Sequence, residues 1–174
     1  ANAFLHVRGY DLGKDSMKLL EAELTPEAVE HARKLLRERG ERILLPIDVG
    51  VDVGGERRDV LVGDLPRGPV LDIGRRSVDK FAKVICGART AFMSGPAGLI
   101  EREEFCFGTR ELLMAMARSD AFTLVGGGHT VGAAERLGLT AKFSYVSTAG
   151  GALETFVLGK PLPAVEALKA CRKA

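Results

Sequence analysis

Apolar and polar positions alternate along this chain in two textures. Short continuous apolar runs, bounded by turn residues, occupy 42–49, 69–73, 90–93, 122–125 and 143–147. Unbroken runs of this length, rather than alternating ones, are the pattern of strands covered on both faces. Between them the apolar positions recur at helical spacing, over 26–39, 77–86, 109–118, 129–137 and 152–158. The first of these has Pro26 in its first turn and a stripe of Ala28, Val29, Ala32, Leu35 and Leu36, with Gly40 as a stop. In the second, Val78, Phe81, Ala82 and Ile85 share a face. Segment 52–64 is polar and glycine-containing with a short apolar centre, which predicts a surface hairpin or excursion. The tail 161–174 carries a helical stretch expected on the outside.

Strand and helix in alternation predict an α/β fold: a Rossmann-like doubly wound parallel sheet with helices on both faces, in three layers. In such a sheet, ligands bind beyond the carboxyl ends of the strands. The residues after each strand are therefore the ones to read for function.

Composition narrows the classes. The 174 residues suffice for one compact domain, and 46% hydrophobic content excludes a disordered tail. The formal net charge is +2 with acids and bases interspersed, and tyrosine occurs twice and tryptophan never. Neither a nucleic-acid nor a membrane partner is expected from that balance. Cys86, Cys106 and Cys171 lie far apart without a CxxC pair, so they read as small hydrophobes in a reducing compartment. No signal peptide and no apolar run of about 18 residues is visible, and a cytoplasmic location is the expectation. The opening Ala-Asn-Ala-Phe-Leu lacks an initiator methionine and reads as if cut from a longer chain.

Three strand ends carry candidate chemistry. After 122–125 comes Gly126-Gly127-Gly128-His129-Thr130, then a helix. Glycines allow close backbone approach, and the helix start offers free N–H groups and a positive dipole end, together a phosphate cradle. The tripeptide alone is also compatible with a plain turn. After 143–147 comes Thr148-Ala149-Gly150-Gly151-Ala152, a second turn of the same kind. Two such turns in one sheet suggest a polyphosphate held between two helix starts. After 90–93 comes Ser94-Gly95-Pro96-Ala97-Gly98-Leu99-Ile100-Glu101, whose carboxylate is suited to ribose hydroxyls or to plain solvation. Asp48 and Asp72 stand near strand ends and read as caps or as metal contacts. The absence of GxGxxG argues against a Rossmann-type oxidoreductase.

The order LPIDV, LDIG, SGPAGLIE, EFCFGT, VGGGHT and YVSTAGGALETFVLGKPLP resembles the phosphoglycerate kinase family, and GGGHT with STAGGALE resembles its archaeal branch. The opening ANAFL and YDLGKDS match the same family just after its first glycine-rich turn in the nucleotide domain. The resemblance runs the whole length and implies the C-terminal portion of the nucleotide-binding domain of a two-domain kinase, spanning 1–174. It implies a magnesium-dependent transferase of glycolysis and gluconeogenesis, moving a phosphoryl group between 1,3-bisphosphoglycerate and ADP.

By the same resemblance, Gly126, Gly127, Gly128, His129 and Thr130 hold the nucleotide phosphates. Gly128, Gly150 and Gly151 face the transferring group. Glu101 takes the ribose hydroxyls, Pro96 and Leu99 wall the nucleoside, and Ser94 stands where many members carry Asn. ADP or ATP with Mg²⁺ is the implied cofactor. His129 departs from the aspartate of bacterial and eukaryotic members. Magnesium prefers oxygen ligands, so the metal-ligating group is left unassigned and His129 is expected on phosphate. The N-terminal phosphoglycerate-binding domain, its basic cluster and the family's lysine segment are absent from these residues. A nucleotide-binding fragment without turnover is therefore the alternative. An open sheet edge is also expected, with self-association or pairing with the rest of the polypeptide.

Overall fold

A computed structural model describes residues 1–65 and 68–172. Six strands and eight α-helices follow one another in it. They are α1 (Asn2–Val7), α2 (Gly13–Leu20), α3 (Pro26–Arg39), β1 (Asp48–Val53), β2 (Glu56–Leu61), β3 (Val70–Ile73) and α4 (Arg75–Cys86). The second half continues with β4 (Thr90–Ser94), α5 (Phe107–Arg118), β5 (Phe122–Gly126), α6 (Gly128–Arg136), β6 (Tyr145–Ser147), α7 (Gly150–Val157) and α8 (Pro163–Arg172).

The strands form two sheets. β4, β5 and β6 are parallel, in that order. β1 lies between β2 and β3 and is antiparallel to both. A parallel sheet flanked by helices is what the apolar runs predicted. That the first two runs belong to a separate antiparallel sheet is a correction. Parallel and antiparallel buried strands have the same apolar texture, so the pattern carries no information on direction. The run expected at 42–49 also begins later: 40–42 is a 3₁₀ turn, and pairing starts at Asp48. The excursion at 52–64 is a hairpin, in which β2 turns back at Gly54-Gly55 and pairs along the whole of β1.

Each sheet has its own core. Around the parallel sheet, Leu113 and Met116 of α5, Val125 of β5 and Val131, Ala133 and Ala134 of α6 pack with Phe143. Around the antiparallel sheet, Leu5, Leu12, Val49, Val51, Val62 and Val70 pack together. α4 and α5 pack on each other and join the two halves.

Local signals explain the helices. Thr25 Oγ1 accepts the Ala28 N–H at 3.2 Å and Pro26 occupies the first position, so α3 starts where the sequence predicts. α4 and α5 are capped from a distance. The Asp48 carboxylate accepts the Arg76 and Ser77 N–H groups at 3.0 and 2.7 Å, and the Asp72 carboxylate accepts the Gly108 N–H at 2.8 Å. Both strand-end aspartates are thus caps, one reading offered by the sequence. Because the caps are remote, the two helices start two residues before their apolar periodicity becomes visible. α8 is helical and outside, with no buried residue; the last two residues of the expected tail lie outside the described ones. Among the described residues no helix is long and apolar enough to cross a membrane.

Candidate nucleotide-phosphate site

The parallel register brings three strand ends level. Ser94 pairs with Gly126, and Gly126 with Ser147. β5 runs directly into Gly127, the N-cap of α6, and β6 reaches α7 through Thr148 and its N-cap Ala149. Both helices therefore begin at the same edge of the sheet. Gly127 has φ +86°, a backbone region that L side chains rarely adopt, and it permits the sharp passage from strand to helix.

The two glycine turns touch. A β-carbon placed on Gly150 would stand 3.2 Å from the Gly127 Cα. Glycine at 150 is thus favoured by the proximity of another backbone, not by its own dihedral angles. Ser94 closes the third side, with its Oγ 3.9 Å from the β-carbon position of Gly127. The Val131 N–H donates to the Gly127 carbonyl and the Leu153 N–H to the Ala149 carbonyl. The N–H groups that precede these in each first turn have no acceptor within their own helix. The two helix starts stand side by side, with both dipoles presenting their positive ends at this edge of the sheet.

Beside this spot is a hollow of about 340 Å³ lined by Ile100, Glu101, Gly128, His129, Gly132 and Arg136. It brings Glu101, from the loop after β4, across from His129 at the start of α6. Both side chains are exposed. Arg136 belongs to this hollow and was not singled out from the sequence. The signal was available: 129, 132 and 136 fall on one helical face.

The remaining expected residues separate into neighbours and outliers. Gly126 and Gly151 stand at the turns. Gly126 has Leu153 of α7 above it, while a β-carbon on Gly151 would meet nothing within 4 Å. Pro96 lines a different hollow, against Leu71, Asp72 and Asn2, away from Glu101. Leu99 is 37% exposed, and its N–H donates to the Leu71 carbonyl at 2.8 Å, which docks the loop on β3. Thr130 does not face the open spot. Its hydroxyl is fully buried beneath Gly127 and has no hydrogen-bond partner. Among the described residues, no three His, Cys, Asp or Glu side chains gather as a metal ligand set.

The loop with Glu101 is set by a polar cluster on its other side. Arg57, on β2, bonds Asp72 at 2.6 Å, the Ile73 carbonyl at 2.9 Å and the Glu104 carbonyl at 2.8 Å. Its guanidinium also stands over the rings of Phe105 and Phe107. Burial pushes the Asp72 carboxyl upward, while the Gly108 N–H and Arg57 pull it back. Arg102 bonds Asp52 in the hairpin. These ties anchor the 95–105 segment to the antiparallel sheet.

The phosphoglycerate kinase family signature matches residues 1–160. The chain belongs to the phosphoglycerate kinase family. Phosphoglycerate kinase from Methanothermus fervidus is 39% identical over 173 residues, which are 99% of this chain and 42% of the relative. The enzyme from Methanopyrus kandleri is 40% identical over 171 residues, 98% of this chain and 42% of the relative. Among solved structures, phosphoglycerate kinase from Pyrococcus horikoshii superposes with a TM-score of 0.87 at 34% identity, covering 97% of this chain and 42% of that one. The Coxiella burnetii enzyme gives 0.80 at 34% identity, covering 95% and 43%. The chain thus spans about two-fifths of the length of these phosphoglycerate kinases. Within the family frame, the paired glycine turns and the loop bearing Glu101 are the features on which a functional reading rests.

Proposed function

We propose that this chain, the C-terminal portion of a nucleotide-binding domain, supplies the nucleotide-phosphate side of the phosphoglycerate kinase reaction. That reaction is reversible phosphoryl transfer between 1,3-bisphosphoglycerate and ADP, giving 3-phosphoglycerate and ATP. The observation that carries the reading is the contact of Gly150 with Gly127, which sets two helix starts against one another.

Phosphoryl transfer asks little covalent chemistry of a protein; it asks for positioning and for charge stabilisation around the moving group. Backbone donors aimed at one spot provide both without rearranging during the reaction. In this reading the N–H groups of Gly128, His129 and Thr130 hold the nucleotide phosphates, and those of Gly150 and Gly151 face the group in transfer. Glu101 accepts from the ribose hydroxyls. Leu99 offers the nucleoside an apolar wall, and Pro96 stiffens the loop from behind. Mg²⁺, when bound, would neutralise phosphate charge; it would arrive on nucleotide oxygens and water, with His129 donating to phosphate. The phosphoglycerate would be held by the part of the family polypeptide that this chain does not span, in a cytoplasmic enzyme. Nucleotide binding without turnover is the second reading. It applies to these 174 residues taken alone, which span 42% of a relative's length.

The test is ADP titration by calorimetry beside a coupled assay with 1,3-bisphosphoglycerate, with the intact mass of the sample measured. Loss of ADP binding in Gly127→Ala, at retained fold, supports the phosphate site. A correctly folded wild type that does not bind ADP sinks it. Binding without turnover at a mass near 18.6 kDa selects the second reading.

A further inference from the structure

The helix that carries Gly150 and Gly151 is weakly held. α7 has no buried residue, and Phe156, Val157 and Leu158 at its far end are 63–67% exposed. Burial of an apolar face is what normally fixes the rotation of a short helix, and an isolated helix of this length is marginal in water. Its near end is therefore located by a few specific contacts. One is the backbone contact of Gly150 with Gly127, and another is Leu153 over Gly126. The third is a hydrogen bond across 60 residues: the Ser94 hydroxyl donates to Glu154 Oε1 at 2.7 Å. Among the described residues it is the one side-chain hydrogen bond joining α7 to another element, since Thr155 bonds only the Gly151 carbonyl of its own helix.

We infer that Glu154 is a positioning residue, which acts through Ser94 to aim the first-turn N–H groups of α7 at the phosphate spot. Glu154 follows Gly150 by four residues, one turn later on the same face. Two contacts at Gly150 and Leu153 leave the helix free to roll about the line joining them. A hydrogen bond from the end of β4 to Glu154 removes that freedom. Ser94 also sits on the Gly127 turn, so the same bond ties the second glycine turn to the first. A carboxylate acceptor makes this bond stronger than a neutral pair, although exposure to water keeps it modest. The inference rests on the proposed nucleotide-phosphate role for what the positioning achieves, while the Ser94–Glu154 bond itself is tested separately.

The experiment uses Glu154→Ala, Glu154→Gln and Ser94→Ala in the polypeptide that carries these residues. It combines hydrogen exchange of the α7 amides without nucleotide and titration with ADP and with adenosine. Exchange in the first turn of α7 is expected to quicken about fivefold in E154A, from a bond worth about 1 kcal/mol. ADP affinity should fall by a similar factor while adenosine affinity is unchanged, because only phosphates meet α7. E154Q, whose amide oxygen still accepts from Ser94, should restore both. Ser94→Ala combined with E154A should lose no more than either alone. Unchanged α7 exchange in E154A overturns the latch, whatever ADP does. Altered exchange with equal losses for ADP and adenosine overturns the aiming role. A wild type that fails to bind ADP overturns the nucleotide reading, and the exchange arm then decides the latch by itself.

Discussion

Gly150 and Gly127 come from different strand–helix junctions, yet a β-carbon on the first would stand 3.2 Å from the Cα of the second. Their separation in sequence hides a backbone contact that sets the width of the proposed phosphate spot. Gly150→Ala is tight there without being impossible, since a shift of a few tenths of an ångström relieves it. Alanine is also the better helix former, by about 1 kcal/mol in a helix interior and less at this end position. Stability should therefore change little, while ADP affinity falls as the turns move apart. Thermal denaturation and calorimetry on the same sample check both parts.

Gly127→Ala fails for a different reason. The strain lies in its own backbone at φ +86°, where a β-carbon costs about 1–3 kcal/mol. Urea denaturation should show that loss. An alanine there with full stability would contradict the strand-to-helix geometry.

Arg57 and Asp72 form a buried pair, with side chains 11% and 0% exposed. Arg57→Ala strands the buried Asp72 carboxylate, a loss of about 3–5 kcal/mol, whereas after Asp72→Ala the guanidinium keeps its pairing with Asp59 at 2.9 Å. Both variants should destabilise the chain in chemical denaturation, and Arg57→Ala on that scale. The double variant should lose clearly less than the sum, because the Asp72 charge is then no longer stranded.

Asp52 predicts an acid-side pH dependence. The hydrogen bond from Arg102, then that from the Gly55 N–H, hold its carboxyl below the usual value. Between the lower native value and the ordinary value of about 3.9, the unfolded chain binds more protons, so stability rises with pH there. The contribution is present above that ordinary value and disappears as pH falls through the native one. Asp52→Asn should accordingly destabilise at pH 6, and its difference from wild type should shrink below about pH 4. Urea midpoints across that range test the sign.

His129→Asp puts a carboxylate at the second position of α6, where the dipole favours it by about 0.3–1 kcal/mol. The melting temperature should rise slightly. ADP affinity without Mg²⁺ should drop, and Mg²⁺ should recover it. Affinity and magnesium dependence identical to wild type would argue against any position of His129 at the phosphates.

Much of this was legible in the residues. The four later apolar runs are strands, and each glycine turn does sit between a strand and a helix, because a buried strand needs an apolar stretch and a tight exit. Pro26 and Thr25 marked the start of α3 because its cap is local. α4 and α5 were placed two residues late because Asp48 and Asp72 cap them from strands far away in sequence. α1 and α2 were not foreseen. Each is short, and each contributes a buried residue at most, Leu5 and Ser16, which no periodicity test resolves. Arg136 was missed because an arginine on a helix surface reads as solvated until something faces it.

By itself the sequence determined the kinds and order of the elements from α3 onward, the glycine turns and, through the LDIG, GGGHT and STAGGALE segments, the family. These depend on local chemistry: backbone freedom at glycine, burial of apolar runs, capping within a turn. Tertiary structure alone decided that β1 and β3 run antiparallel in a second sheet. It also decided that Pro96 turns away from Glu101 and that Gly150 rests on Gly127. Strand direction and contacts between distant residues arise from how whole elements share one core, and that geometry leaves no mark on the pattern of any single segment.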